Sequence, residues 1–319
     1  MKKVISSIIF IILTVAILLQ ISSVLFLKIN RFYMLDKYVT KYDAPVDVQV
    51  YGSCHAYTSF VPEALESDGI TSFVYANPGE IVPTTYVRMV EQFKRHVPKV
   101  AVLDIWGINA YETYEYTTII LEHYMPANVQ MLPYSREKVA LMEDFPELDP
   151  LQMHFPLSQY KDRILDGSLT ELDFDYEKHA KNNIGEHMTK RFQNSGFYPQ
   201  GFSDVSDYPQ KQNHVSEEDV LQIEPIIVKY LEKIFALCKE NDVELILYKA
   251  PYISTVNELR KLNHLRQLCQ QHDVLFIDLE KEMKFSYTTD FFDLYHLSTF
   301  GANRATKFLK PYIQAAMEK

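Results

Sequence analysis

The stretch Val48-Gln49-Val50-Tyr51-Gly52-Ser53-Cys54-His55-Ala56-Tyr57-Thr58-Ser59-Phe60 decides how the chain is read. Alternation and β-branched residues over 46–51 predict a strand. Gly52 permits a sharp exit from it. Ser53 and Cys54, two nucleophile-type side chains, then stand beside His55. Thr58 or Ser59 is the expected cap of a helix over 58–67, with Pro62 in its first turn. A side chain on such a turn is held at the carboxyl end of a sheet, where open α/β folds place their sites. An ordinary strand–turn–helix connection reads the same way, so this segment alone does not separate chemistry from scaffold.

Outward from this turn, the pattern repeats. Residues 71–75 predict a second strand leading into Ala76-Asn77-Pro78-Gly79, and Pro83 opens a helix over 83–96. Val100-Ala101-Val102-Leu103-Asp104-Ile105-Trp106 is a near-continuous apolar run, as in a central parallel strand, and it ends at Gly107-Ile108-Asn109. Further on come a helix over 216–241, capped by Ser216 and kinked at Pro225, a strand over 243–248 and a helix over 254–272. A strand over 274–278 and a helix over 298–317 complete the series. Such alternation implies a three-layer α/β domain with a mainly parallel sheet. Residues 110–215 break the rhythm. Rich in Tyr, Pro and acids, with short helical patterns near 135–145 and 157–165, they read as an insertion, either a lid or a small subdomain.

Composition narrows the partners. The net charge is −10. Lys2 and Lys3 are the only charged residues before Lys28, so the body is more acidic than the whole. An acidic body without a basic run argues against nucleic acid. Val4 to Leu27 has no charged residue and would span roughly 36 Å as a helix, against a bilayer core of roughly 30 Å. No small-x-small cleavage site closes it, so residues 1–27 read as an uncleaved transmembrane anchor and 28–45 as a stalk. Lys28, Arg31, Lys37 and Lys41 follow the span, and charge therefore does not set its orientation. Three cysteines with no C-x-x-C fit neither a disulfide framework nor a zinc finger. Cys238 and Cys269 lie on apolar helical stripes and read as core; Cys54 sits at a turn. Apart from His55 and His296, the histidines are scattered along the chain and suggest no metal site.

Four segments fall at or beyond predicted strand ends: Gly52-Ser53-Cys54, Asn77-Pro78-Gly79, Gly107-Ile108-Asn109 and Asp293-Leu294-Tyr295-His296. Acyl transfer needs a nucleophile, a base, a carboxylate to orient the base, and N–H donors for the oxyanion. These turns contain one of each. Asp104 is placed to bond the Ser53 or His55 neighbourhood as a buried structural acid. His55 itself reads as a structural hydrogen-bonding residue and Trp106 as core. Lys249 and Tyr252 read either as contacts to an anionic polymer or as plain surface.

On these motifs, together with Leu297, Gly301 and Ala302, the domain over 46–319 resembles the SGNH/GDSL hydrolase superfamily across about 46–315, outside the insertion. The likeness is to its membrane-anchored cell-envelope branch, which includes polysaccharide O-acetyltransferase-like and teichoic-acid D-alanyl transfer proteins. The resemblance implies a flavodoxin-like three-layer fold with a five-stranded sheet and no cofactor. It implies Cys54 at the nucleophile position, His296 as base, Asp293 as its orienting acid, and Gly79 and Asn109 as oxyanion donors. It further implies a cell-envelope glycopolymer as substrate, a membrane protein that delivers the acyl group, and a body outside the cell membrane. The family usually carries Ser where this chain has Cys54. Three readings therefore stay open: a Cys54-His296-Asp293 triad, Ser53 acting after a register shift, or a degenerate site that only binds or helps assemble envelope glycopolymer.

Overall fold

Five strands pair side by side, all parallel: β1 Val48–Gly52, β2 Ser72–Ala76, β3 Val100–Asp104, β4 Glu244–Lys249 and β5 Leu275–Asp278. Their order across the sheet is β2-β1-β3-β4-β5. The structure is a computed structural model that describes residues 2–29, 42–150, 153, 165–167, 194–205 and 213–319. The helices are α1 Lys2–Ile29, α2 Cys54–Ser59, α3 Glu63–Glu66, α4 Val82–Phe93, α5 Tyr114–Ile119, α6 Met125–Met131, α7 Arg136–Asp144, α8 Pro225–Glu240, α9 Val256–His272, α10 Leu279–Glu282 and α11 Thr299–Met317.

Strand side chains alternate between two cores, as a period of two requires. Val48 and Val50, Val100 and Val102, and Ile246 and Tyr248 face one of them, where α2, α3 and α11 pack through Ala56, Leu65, Ala302, Ala305 and Leu309. Tyr51, Ala101, Leu103, Leu245 and Leu247 face the other, against α4, α8 and α9. Three layers result, and every residue of β1, β2 and β3 is buried. Each fully buried Leu, Ile or Val contributes about 1.5–3 kcal/mol, so these strands are held mainly by their two apolar faces.

The order 2-1-3-4-5 is that of flavodoxin-like sheets. Chain direction across the sheet reverses between β1 and β3, opening a crevice at their carboxyl ends. Gly52 ends β1 there with φ +136, and a Cβ on it would lie 2.8 Å from the Cβ of Asp104. Only glycine lets the two strand ends close to this distance.

Three expectations shift. The helix after β1 begins at Cys54 and not at 58, because Ser53 caps it by accepting the His55 N–H at 3.2 Å. The expected helix over 216–241 starts at Pro225, which occupies its first position and does not kink it. Residues before it are tied down instead: the Leu221 N–H donates to the Arg260 carbonyl at 3.2 Å, and the Ile223 N–H to His264 Nδ1 at 3.0 Å. The described part of 110–215 joins the cores rather than covering them as a lid. Ile120, Met125, Val129, Leu132, Leu141 and Phe145 lie in one core and Phe197 in the other. The helical pattern near 157–165 lies outside the described residues except for its last position, as does most of the stalk.

The residues read as a transmembrane anchor lie in helix α1, Lys2–Ile29. Its consecutive residues Ile8, Ile9, Phe10, Ile11 and Ile12 are each at least 51% exposed, so apolar surface runs around the whole circumference. Among the described residues, no helix is long and apolar enough to cross a membrane.

Candidate active site

Cys54 and His296, far apart along the chain, meet at the carboxyl end of the sheet. Cys54 follows the β1 turn as the first residue of α2 and is partly exposed. Its sulfur, a ring nitrogen of His55 and a ring nitrogen of His296 all lie within 4.8 Å of one another.

The loop that carries His296 is fixed at its base. Phe291 and Leu297 form an antiparallel bridge, and the Phe292 N–H donates to the His296 carbonyl at 2.9 Å. Buried Asp290 accepts the Ser286 N–H at 2.7 Å and pairs with Arg304. Ser298 caps α11, and its hydroxyl donates to the Thr289 carbonyl at 2.7 Å. Within the loop, Asp293 accepts the backbone N–H groups of Tyr295 and His296, each at 2.8 Å. The same carboxylate lies 2.9 and 3.0 Å from His296 Nδ1. With Nδ1 so held, Nε2 is the nitrogen left for other chemistry.

Charge follows this geometry. Burial alone would lower the His296 pKa, but the hydrogen bond with Asp293 and the interaction with Cys54 overcome it and raise the pKa to about 10. Burial also opposes the charge on Asp293, yet its bonds to His296 and to the two backbone N–H groups hold the carboxyl below the usual range. His55 behaves oppositely. It is 2% exposed, and burial, with His296 and Lys249 nearby, pushes its pKa well below 6.5. It is a neutral ring in an aromatic stack, 5.4 Å from Trp106, 5.2 Å from His296 and 4.8 Å from Tyr252 between centroids. The sequence offered only its place beside Cys54 as a signal of this role.

Ser53 is fully buried and its hydroxyl is engaged twice. It donates to Asp104 Oδ2 at 3.2 Å and accepts the His55 N–H. Asp104, at the end of β3, is raised to about 7 by burial, against opposing bonds from the Ser53 hydroxyl and from the backbone of Trp106, Ala250 and Ser53. The Ser53–Asp104 bond spans the crevice between β1 and β3, as the sequence suggested.

Asn109 is buried and its Nδ2 donates to the Tyr252 hydroxyl at 3.1 Å. Gly79 has φ +58, and a Cβ there would lie 2.3 Å from the Tyr124 ring, so close packing by itself requires glycine. Lys249 is no surface residue. It is fully buried, pairs with Glu280 at 2.5 Å and lies 4.2 Å from the Tyr252 ring centroid. Folding brings metal-ligating atoms of Cys54, His55 and His296 together, although His296 lies far from the other two in sequence.

No protein-family model matches the chain, and no curated protein matches it. Among solved structures it is similar to a Bacteroides fragilis protein described as a "putative acylhydrolase". The TM-score is 0.40 and the identity 11%, over 88% of this chain and 94% of that one. That likeness is too slight to speak to activity, and the chemistry has to be read from the site.

Proposed function

We propose that the chain is a thiol-dependent acyltransferase or esterase. The observation that carries this reading is the chain of contacts from Asp293 through His296 to Cys54. Cys54 attacks the acyl carbonyl as a thiolate. The proton it gives up rests on His296 Nε2, and Asp293 holds Nδ1 and stabilises the imidazolium. His296 then protonates the leaving oxygen. The acyl group stays on sulfur until a hydroxyl or water, deprotonated by His296, takes it.

Oxyanion donors in this reading are the N–H of Cys54, which lies in the first turn of α2 where a helix offers no carbonyl partner, with Asn109 and Gly79. Ser53 serves as cap and as partner of Asp104, because its one hydroxyl proton is directed at that carboxylate. The substrate is a cell-envelope polysaccharide or teichoic acid, as the sequence resemblance implies, with a membrane protein supplying the acyl group. Helix α1 anchors the body to the membrane from outside, in keeping with its exposed apolar circumference.

The test is turnover of an activated acyl ester by the purified full-length protein, with and without a sugar acceptor. Wild type should release the alcohol, and Cys54→Ala should not. Equal turnover by the two would overturn the reading and leave the fold as a binding scaffold.

A further inference from the structure

We propose that Cys54, His55 and His296 form a binding site for a thiophilic divalent cation, of which zinc is the type. Occupancy would withdraw the thiol from acyl chemistry. The inhibitory part rests on the acyl-transfer reading; the metal site does not.

The argument begins with distances. A tetrahedral zinc site has bonds of about 2.0–2.3 Å, which place its ligand atoms about 3.3–3.8 Å apart. The three atoms here already lie within 4.8 Å of one another. A contraction of about 1 Å, within reach of small side-chain rotations, would complete three sides of a tetrahedron.

Each ligand is also prepared. His296 has Nδ1 against the Asp293 carboxylate at 2.9 Å, which leaves Nε2 for a metal. Carboxylate–histidine–metal arrays have this arrangement, and in them the carboxylate fixes the tautomer and raises ligand basicity. His55 is the independent observation. Its ring is 2% exposed, and its Nδ1 is buried without a hydrogen-bond partner among the described residues. Buried polar atoms are seldom left so, and the exceptions ask for an explanation. Stacking against Trp106 and His296 fixes the plane of the ring. Nothing in the thiol mechanism uses this histidine.

Cys54 is partly exposed, which gives an ion a path in and leaves the fourth position open to water. One thiolate and two imidazoles favour zinc, cobalt or copper over magnesium or calcium. Coordination takes sulfur as thiolate and both rings as neutral, so the protons on Cys54 and His296 pass to solvent. No electrons change hands. Once bound, the sulfur lone pair and the base nitrogen are both occupied, and attack on an acyl carbonyl stops.

The experiment uses the full-length protein stripped with a chelator and then titrated with zinc chloride. Equilibrium dialysis should give one zinc per chain. Cobalt chloride should give a thiolate-to-cobalt charge-transfer band. Cys54→Ser should abolish the band, and His55→Gln should weaken zinc binding at least tenfold while the circular dichroism spectrum stays that of wild type. Zinc should also slow iodoacetamide labelling of Cys54 at least tenfold, and chelator should restore it; Cys238 and Cys269 are buried and do not compete. Wild type binding no more zinc than Cys54→Ser would overturn the proposal, as would His55→Gln binding like wild type. Zinc binding by a protein that turns over no ester would refute the acyl reading alone. Ester turnover without zinc binding would refute this one alone.

Discussion

Asp293→Asn isolates the acid that orients the base. Asparagine keeps the size of the side chain, and its carbonyl oxygen can still accept the Tyr295 and His296 N–H groups that Asp293 accepts at 2.8 Å. The loop should therefore hold. What is lost is the charge beside His296 Nδ1, together with a hydrogen bond to a charged group, worth about 1.5–3 kcal/mol. Each 1.4 kcal/mol is about tenfold in rate, so the range spans about tenfold to a hundredfold. The Asp293 side chain is 42% exposed, and solvent screening places the expected loss at the lower end, about tenfold. The assay is the single-turnover rate of acyl transfer to Cys54 at neutral pH, followed by quenched mass spectrometry, with a melting curve as control. A folded Asp293→Asn protein that acylates within twofold of wild type would refute the claim that Asp293 supports the imidazolium.

Four further outcomes are expected. Ser53→Ala should lower stability by about 1–2 kcal/mol through loss of the cap, measured by urea unfolding, yet still acylate at Cys54; loss of acylation without loss of fold would make Ser53 the nucleophile. Gly52→Ala, forced to φ +136 with its Cβ 2.8 Å from that of Asp104, should cost about 1–3 kcal/mol; Gly69→Ala, with nothing within 4 Å, should melt nearer wild type, and the reverse order would contradict the packing. Because the His296 pKa is raised from 6.5 to about 10, its contribution to stability is complete below pH 6.5 and lost as pH rises through about 10. Chelator-treated protein should become easier to unfold over that window, and more steeply than His296→Gln; equal slopes would remove His296 as the cause. The full chain should sediment with membranes while a chain beginning at residue 42 stays in the supernatant, and equal sedimentation would remove α1 as the anchor.

The sheet was legible because its strands are short runs rich in apolar and β-branched residues, alternating in β1 and near-continuous in β3. Val100 to Leu103 has no polar residue, and only a strand buried on both faces suits that composition. Helix starts were harder. Phe60-Val61-Pro62 looks like a fresh helix after a Thr-Ser cap, and a short helix does begin at Glu63. The earlier turn from Cys54 depends on one bond from the His55 N–H to Ser53, which a sequence pattern does not distinguish from a plain turn. Likewise Ser216 with Glu217 and Glu218 resembles a helix start, but the partners that tie down Leu221 and Ile223 lie on α9, distant in sequence. Lys249 looked like a surface cation because nothing local announces Glu280. For the site, residue types and their order at strand ends pointed to Cys54, Asp293 and His296. The place of His55, between Trp106 and His296, arises only when loops from opposite ends of the chain meet.

The most direct measurement is peptide-level mass spectrometry of the purified protein after brief exposure to an activated acyl ester. The account predicts a single acyl adduct on the sulfur of Cys54, strongly reduced in His296→Gln. An adduct on another residue, or one on Cys54 that forms equally fast without His296, would contradict it.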